Sequence, residues 1–153
     1  MGKAILTVSN IDLWLLIDRV HHSIGWVRRR ELSPHNIAPQ QLRVLRAIQA
    51  LGSKVTLSAL ANEVERKVDV ISRQAVILEK DGLIKRIKES NKSRLLRIEL
   101  TEKGLDMLKK ISNDSRSIEA IFSCLTEEER QQMYSILNRI LKSKENASAK
   151  YYG

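Results

Sequence analysis

Cysteine, proline, glycine and aromatic residues are all scarce in this sequence. Its 153 residues include one cysteine, two prolines and six glycines, and 4% of them are aromatic. The single cysteine, Cys124, excludes an intrachain disulfide framework and fits a reducing compartment. So little proline and glycine disfavours a loop-rich all-β sandwich or barrel. So few aromatic residues disfavour a stacking platform for single-stranded nucleic acid.

Long hydrophobic runs are also lacking near the N-terminus. The longest apolar run there extends from Leu13 to Ile17, and Asp12 and Asp18 flank it. That run is too short for the core of a secretory signal or for a membrane span. The first residues also lack the Ser or Thr of a myristoylation signal. We therefore expect a soluble, cytoplasmic protein.

Positive charge, in contrast, is abundant. The chain has 27 Lys and Arg residues against 18 Asp and Glu, a net charge of +9. Such an excess indicates a polyanionic partner, most often nucleic acid and sometimes an acidic membrane surface. A charge run is usually a solvated face, but the densest run here lies between a helix pattern and a strand pattern, which favours a functional role. Around the single acidic residue Glu89, that run contains Lys85, Arg86, Lys88, Lys92, Arg94 and Arg97.

Apolar residues at helical spacing predict a long first helix over residues 10–32. Trp14, Leu15 and Trp26 widen its apolar stripe beyond what one small core needs. A helix that is apolar on so many sides tends to be buried from two directions, which favours a subunit interface. The stripe itself consists of Leu13, Leu16, Ile17, Val20, Ile24 and Val27.

Three further helices and a β-hairpin are predicted over the middle of the chain. Pro39 suits the first turn of a second helix that Gly52 ends, and Thr56 can cap a short third helix. A fourth helix runs from about Val68 to Asp81, and residues 83–88 and 94–100 show strand patterns around a polar turn. The predicted inward residues of these helices are, in chain order, Leu42, Leu45, Ile48 and Leu51, then Leu57, Leu60, Ala61 and Val64, then Val68, Ile71, Ala75 and Leu78.

Two more helices follow the hairpin. Thr101 can cap the fifth, and Thr126 with Glu129 forms a capping box for the sixth. The tail from Ser143 is polar, and we expect it to fray. The fifth helix has one stripe made of Leu105, Leu108, Ile111, Ser115, Ile118 and Phe122, and the sixth has Met133, Ile136, Leu137, Ile140 and Leu141.

This order of elements predicts a mainly α fold with a small β-wing, in which dimerisation helices flank a winged helix-turn-helix domain. Such a module places its recognition helix, here the fourth, in the DNA major groove and its wing on the backbone or minor groove. We expect a single winged-helix regulator over residues 1–153. Its helical dimerisation region is predicted at 10–32 and 101–142, and its DNA-binding region at 37–100.

The outward face of the fourth helix is the predicted reading surface. At about 100° per residue, Arg73 projects opposite the inward residues, with the β-branched Val76 and Ile77 on its flanks. Arg73 could read guanine, and Val70 could contact a thymine methyl. Ser72, at the edge, suits a hydrogen bond to a phosphate or a base. The alternative is that Arg73 only solubilises the helix.

Asp69 is the unusual residue of this face. A carboxylate disfavours close approach to the DNA backbone. Two arrangements would accommodate it: Asp69 could accept a hydrogen bond from cytosine N4, or it could pair with Arg73 across one turn.

The ordered set of elements resembles the MarR family of bacterial transcription regulators over roughly residues 10–142. The resemblance depends on Leu60-Ala61, on Ser72-Arg73, on the segment from Leu78 to Ile84, on the basic wing and on the segment from Leu100 to Gly104. It implies a homodimer whose N- and C-terminal helices interlock and whose winged modules contact successive major grooves of a palindromic operator. Similar proteins are mostly repressors that a small, often phenolic or aromatic, ligand or an oxidant releases.

Two positions depart from the pattern of that family. Lys92 stands where an Asp usually braces the wing arginine that Arg94 matches. Lys67 stands where Ser or Asp often caps the recognition helix. The first change implies a wing that is more mobile or more dependent on phosphate, and the second leaves Lys67 free to contact phosphate. The predicted DNA-binding residues are Ser58, Val70, Ser72, Arg73, Lys88, Lys92 and Arg94.

Other chemistry has less support in the sequence. The spacing of His21, His22 and His35 is not that of a metal site, and hydrogen bonding on the surface or between helices accounts for them. With Trp26, the pair His21 and His22 could instead line an effector cavity. No basic residue lies close in sequence to Cys124, so we expect a buried, inert thiol there rather than a redox sensor.

An enzyme is disfavoured because no glycine-rich phosphate loop, HExxH or GxSxG motif occurs. We expect no cofactor and no metal. The predicted partners are palindromic double-stranded DNA, a second copy of the chain and a small aromatic or phenolic effector. Two alternatives stay open: a non-specific architectural DNA-binding protein, and a helical adaptor that binds protein and not DNA.

Overall fold

The computed structural model describes residues 7–53, 55–88 and 96–152. The internal contacts divide the chain after Ser115 into two compact units. The first unit contains α1 (Asn10–Leu32), a 3-10 helix (Ser33–His35), α2 (Pro39–Leu51), β1 (Val55–Thr56), α3 (Leu57–Glu63), α4 (Val68–Lys80), β2 (Ile84–Lys88), β3 (Leu96–Leu100) and α5 (Glu102–Asn113), and the second contains α6 (Arg116–Phe122) and α7 (Glu127–Tyr152).

Side-chain caps begin three helices where the sequence predicts them. Thr56 and Thr101 each accept a hydrogen bond at 3.1 Å from the N–H three residues later, at the starts of α3 and α5. At α7, the Thr126 N–H donates to Glu129 Oε2 at 2.8 Å, and the Glu129 N–H donates to Thr126 Oγ1 at 3.2 Å. These bonds satisfy N–H groups that have no partner within the first helical turn.

The core of the first unit orients α4. Ile71, Ala75 and Leu78 form the inner face of that helix and are each 0% exposed. Full burial of one large apolar side chain contributes about 1.5–3 kcal/mol, so this inner face fixes which side of α4 is left outside. The same cluster includes Leu32, Leu42, Val44, Leu45, Ile48, Val55, Leu60, Ala61, Val64, Leu83, Ile84, Ile98, Leu108 and Ile111.

The sheet has three strands among the described residues, not the two that the sequence predicts. β3 lies in the middle, and β1 and β2 pair with it on opposite sides, both antiparallel. In this register, Ile98 of β3 lies opposite Val55 of β1 and opposite Arg86 of β2. The sequence did not show β1 because a strand of two residues is too short for an alternating pattern.

Two of the predicted inward residues are wrong, and one residue of the predicted stripe on the fifth helix is exposed. Val68 is 45% exposed, Leu51 is 38% exposed and Leu105 is 39% exposed. Val68 is the first residue of α4 and Leu51 is the last residue of α2, and Leu105 lies in the first turn of α5. All three residues lie near a helix end, where neighbouring elements no longer cover the helix. The apolar pattern of a sequence does not show where that cover stops.

The predicted fifth helix is two helices. α5 ends at Asn113, and Asp114 leaves the helical conformation with φ −100° and ψ 37°. The hydroxyl of Ser115 donates to the carbonyl of Ile111 at 3.1 Å. Asn, Asp and Ser side chains compete with the backbone for hydrogen bonds, so three of them in a row interrupt the stripe. α7, in contrast, is longer than predicted. It continues to Tyr152 through the tail that we expected to fray.

Large apolar side chains are exposed on α1 and on α7. The α1 apolar face consists of residues that are 40 to 63% exposed, namely Ile11, Leu13, Trp14, Leu15, Leu16, Ile17 and Val20. The α7 apolar face consists of residues that are 36 to 54% exposed, namely Met133, Ile136, Leu137, Ile140 and Leu141. Within the described part of the chain, no helix combines the length and the hydrophobicity that crossing a membrane requires.

Candidate nucleic-acid interface

The outer face of α4 is exposed, as the projection predicts. The side chains of Asp69 and Arg73 are 66% and 74% exposed, opposite the fully buried Ile71, Ala75 and Leu78. Arg73 Nη2 lies 3.4 Å from Asp69 Oδ2. Of the two arrangements that accommodate Asp69, the pair across one helical turn is therefore present in the free chain.

Two apolar residues belong to this outer face as well. Val76 is 49% exposed and Ile77 is 43% exposed. Val70 and Ser72 are only partly exposed, so they flank the face and do not lie at its centre. Val76 and Ile77 were absent from the predicted site residues, although their positions beside Arg73 in the projection were the signal that could have included them.

The N-terminal ends of α3 and α4 supply backbone N–H groups and polar side chains. Ser58 is exposed as the second residue of α3. Lys67 stands at the N-cap of α4 and makes no side-chain capping hydrogen bond there, as its residue type predicts. A helix N-terminus carries partial positive charge, which favours a phosphate next to it.

Basic side chains at the base of the wing form ion pairs within the protein, which the sequence alone does not indicate. Lys85 Nζ lies 3.0 Å from Glu99 Oε2 on the neighbouring strand. Arg86 contacts Glu79 of α4. Lys88 is exposed at the end of β2. Lys85 and Arg86 are therefore paired within the protein, and the predicted wing residues Lys92 and Arg94 lie outside the described residues.

Comparison with known proteins gives matches among solved structures alone. No family model matches the chain, and no curated protein matches it. The organohalide-sensing transcriptional regulator RdhR in its 2,4-dichlorophenol-bound form has a TM-score of 0.78 at 24% identity, over 99% of this chain and 94% of that chain. The S. aureus MepR–DNA complex has a TM-score of 0.75 at 24% identity, over 84% and 96%. A MarR protein from Peptoclostridium difficile has a TM-score of 0.79 at 18% identity, over 98% of each chain.

The chain has the MarR fold. The predicted fold class, mainly α with a small β-wing, is confirmed. At these identities the likeness establishes the fold, and the function has to come from the residues of this chain.

In this MarR fold, the segment from Leu100 to Gly104 holds the C-terminal end of α4. Thr101 Oγ1 donates to the carbonyl of Gly82 at 2.6 Å, and Lys103 Nζ donates to the carbonyl of Asp81 at 2.7 Å. A Cβ on Gly104 would lie 2.1 Å from the Leu83 carbonyl oxygen, so only glycine allows α5 to approach this turn. The sequence marked the segment as part of the family resemblance but did not show this contact.

The three candidate effector residues lie exposed on α1. His22 Nδ1 is 2.9 Å from the Asp18 carbonyl oxygen, and the His21 and His22 rings meet edge to face at 5.8 Å. The Arg30 guanidinium lies 5.0 Å from the centre of the Trp26 ring. A cavity of about 150 Å³ in the first unit has other lining residues, namely His35, Asn36, Asp81, Leu83, Lys103 and Met107. Within the described residues, no three His, Cys, Asp or Glu side chains group as metal ligands.

Cys124 is exposed, so the expectation of a buried thiol is wrong. Cys124 lies in the turn between α6 and α7, and its Sγ is 3.4 Å from the Ile121 carbonyl oxygen. The expectation rested on the lack of a nearby basic residue, which does not determine burial, and a short turn between two helices leaves its side chains near the surface.

Proposed function

We propose that this chain is a MarR-type transcription regulator that binds double-stranded DNA sequence-specifically through α4. The observation that carries the proposal is the outer face of α4, where Arg73 is exposed directly opposite three fully buried residues. In a winged-helix fold this face is the one that enters the major groove. The likeness to the S. aureus MepR–DNA complex supports DNA binding.

Each proposed contact follows from residue type and position. Arg73 offers two donors to guanine O6 and N7, and Val70 offers a methyl group to thymine. Ser72 donates to a base or a phosphate at the edge of the groove. Ser58 positions the module on the backbone from the start of α3.

The wing supplies the remaining phosphate contacts in this proposal. Lys88 is exposed at the point where β2 enters the wing, and Lys92 and Arg94 follow it in sequence. Each lysine or arginine that neutralises a phosphate releases a counterion, which makes binding depend on salt.

A second copy of the chain is the proposed occupant of the α1 apolar face. Leu16 is 55% exposed and Trp14 is 62% exposed on that helix, and such a continuous apolar surface is seldom left in water. The α7 apolar face is proposed as a further dimer contact. A twofold dimer presents two α4 helices, and its operator is then a palindrome.

The proposed mode of control is repression relieved by a small aromatic or phenolic effector. The support is the structural likeness to RdhR, which was solved with 2,4-dichlorophenol bound. His21, His22 and Trp26 are the proposed effector-binding residues because they place two imidazoles and an indole on one exposed stretch of α1. The protein acts as a regulator in this proposal, without catalysis.

The experiment that tests the proposal is selection of bound duplexes from a random DNA pool. About 0.15 M salt is suitable, because screening at that ionic strength removes much weak charge binding. We expect a palindrome with half-site centres roughly one helical turn apart. A matched selection with Arg73→Ala should give a motif in which one position of each half-site is relaxed.

Each other outcome points elsewhere. Weak, salt-sensitive binding without a motif would indicate the architectural protein. Absence of DNA binding at this salt would indicate the adaptor. A palindrome that Arg73→Ala leaves unchanged would show that α4 is not the reading element.

A further inference from the structure

The end of α4 and the middle of β2 are joined by one ion pair, Glu79 with Arg86. The Arg86 backbone N–H donates to Glu79 Oε1 at 3.0 Å, and the Arg86 Nε donates to Glu79 Oε2 at 2.7 Å. The Arg86 Nη2 lies 2.5 Å from the same Oε2. Both carboxylate oxygens are therefore occupied by a single residue seven positions later.

The surroundings strengthen this pair. The side chains of Arg86 and Glu79 are 27% and 34% exposed, so solvent screens them less than the 74% and 66% exposed pair of Arg73 with Asp69. The hydrogen bond from the Arg86 side chain holds the pKa of the Glu79 carboxyl below its ordinary value, against partial burial, which raises it. The guanidinium holds Oε2 and the backbone N–H holds Oε1, and contact at both oxygens fixes the orientation of the carboxylate as well as its distance.

The position of the pair in the fold gives it a mechanical role. Between its two members the chain reverses at Gly82, which has φ +73°. Arg86 is opposite Ile98 in the sheet, and Ile98 is 0% exposed. Its guanidinium therefore connects a fixed point of the sheet to the last turn of the recognition helix. Since β2 is the strand that leads into the wing, this connection fixes the start of the wing relative to α4.

The ion pair of Lys85 is a comparison that lacks this connection between β2 and α4. It is adjacent to Arg86 on β2, has the same charge and also has a carboxylate partner, Glu99, at 3.0 Å. That pair joins β2 to β3 within the sheet and makes no connection to α4. Its side chains are 56% and 41% exposed.

We propose that Glu79 and Arg86 are positioning residues for DNA binding, which hold the wing at the angle to α4 that lets both engage one site. The inference rests on the proposed DNA-binding function. It assigns Arg86 a role that its place in the basic run does not indicate: its guanidinium is committed to Glu79 and is not a phosphate contact.

The substitution Glu79→Gln separates the two roles of Arg86 by the sign of its effect. If Arg86 contacted phosphate, removing the carboxylate would free its charge and delete a repulsive one, and DNA binding would tighten. If the pair positions the wing, the same substitution weakens binding to the duplex most enriched in the random-pool selection. We expect weakening of roughly fivefold or more, as for other coupled charge pairs.

The matched control is Glu99→Gln, which removes the same charge from the partner of Lys85. We expect binding as tight as that of the unmodified chain, or tighter. The exchanged double variant Glu79→Arg with Arg86→Glu should recover part of the affinity that either single change removes. Hydroxyl-radical footprints should show which DNA contacts are lost. We expect Glu79→Gln to lose protection at the flanks of the site and to keep it at the centre.

The outcomes are distinct. If the unmodified chain selects no sequence, the proposed function fails and this inference fails with it. If it selects a motif and Glu79→Gln binds as tightly as Glu99→Gln, only the positioning role is wrong. A general loss of footprint in a Glu79→Gln variant that circular dichroism shows to be unfolded would be a folding effect. In that case the exchanged double variant decides, since failure to recover flank protection in a folded protein overturns the inference.

Discussion

The helices α4 and α1 use similar residues in opposite ways. α4 places Ile71, Ala75 and Leu78 at 0% exposure inside its own chain and leaves a mixed face of arginine, carboxylate and β-branched residues outside. α1 reaches the core with Leu32 at its C-terminal end, and its α1 apolar face stays exposed. The difference teaches that apolar periodicity identifies a buried face but not what buries it. The apolar face of α4 is buried by other residues of the same chain, and we propose that the apolar face of α1 is buried by a second copy of the chain.

The largest effect is expected where α4 meets the core. Ile71→Ala removes a fully buried side chain and leaves a cavity, which should lower the free energy of unfolding by about 2–5 kcal/mol. Denaturant unfolding, followed by circular dichroism at several protein concentrations, measures it. The control Val76→Ala, on the 49% exposed face of the same helix, should change stability by no more than about 0.5 kcal/mol. Equal effects from the two variants would mean that the inner and outer faces are misassigned.

Much of this division could be predicted from the sequence because helix caps and helix faces are local properties. The caps at Thr56 and Thr101 are present as predicted, and so are the buried residues at the middle of α4. The third strand, the interruption at Asp114 and the exposure of Cys124 were missed. These depend on pairing across the fold or on competition between side chain and backbone, which periodicity does not record.

The candidate site was predictable to a smaller extent. The outward position of Arg73 follows from the helical repeat alone. The pairing of Arg86 with Glu79 depends on the reversal at Gly82 and on the register of β2, so the sequence showed only two charges seven residues apart. A charge count therefore overestimates how much of the wing is free to meet phosphate.

On α1 the comparison predicts a change in association and not in folding. Leu16→Lys places a charge at the centre of the α1 apolar face and should weaken dimerisation by about 2 kcal/mol, roughly thirtyfold. Folding of the single chain should be little affected, because Leu16 is already 55% exposed. Sedimentation equilibrium across protein concentrations measures the shift. Leu16→Met, which keeps size and polarity, is the control and should dimerise normally. A protein that is monomeric before any substitution would contradict the proposed role of this face.

A substitution on the outer face of α4 should change DNA binding and leave folding and dimerisation unchanged. Arg73→Ala should weaken binding to the selected duplex by about 1–3 kcal/mol and relax one base position per half-site, with unfolding unchanged. Fluorescence anisotropy with the selected duplex and with single-base variants measures both effects. Arg29→Ala is the matched control, because it removes one exposed arginine from α1. If the two variants lose the same affinity on every duplex, Arg73 contributes charge and not sequence reading.

The smallest effect is expected at the N-terminal end of α1. The Ser9 N–H donates to Asp12 Oδ2 at 3.1 Å, and the Asp12 N–H donates to Ser9 Oγ at 3.1 Å. The hydrogen bond from the Ser9 side chain, and then that from its backbone, lower the pKa of Asp12 below its ordinary value. A lowered pKa means that the ionised carboxylate is the form that the cap stabilises, so the cap is intact above the ordinary pKa and is lost as pH falls through the lowered one. The Ser9 amide proton should report this loss in an NMR titration, with a midpoint below the ordinary pKa of an Asp side chain. Asp12→Ala should abolish the Ser9 transition, whereas Asp106→Ala should leave it in place. A Ser9 midpoint at or above the ordinary pKa of an Asp side chain would show that the capping box does not hold the first turn of α1.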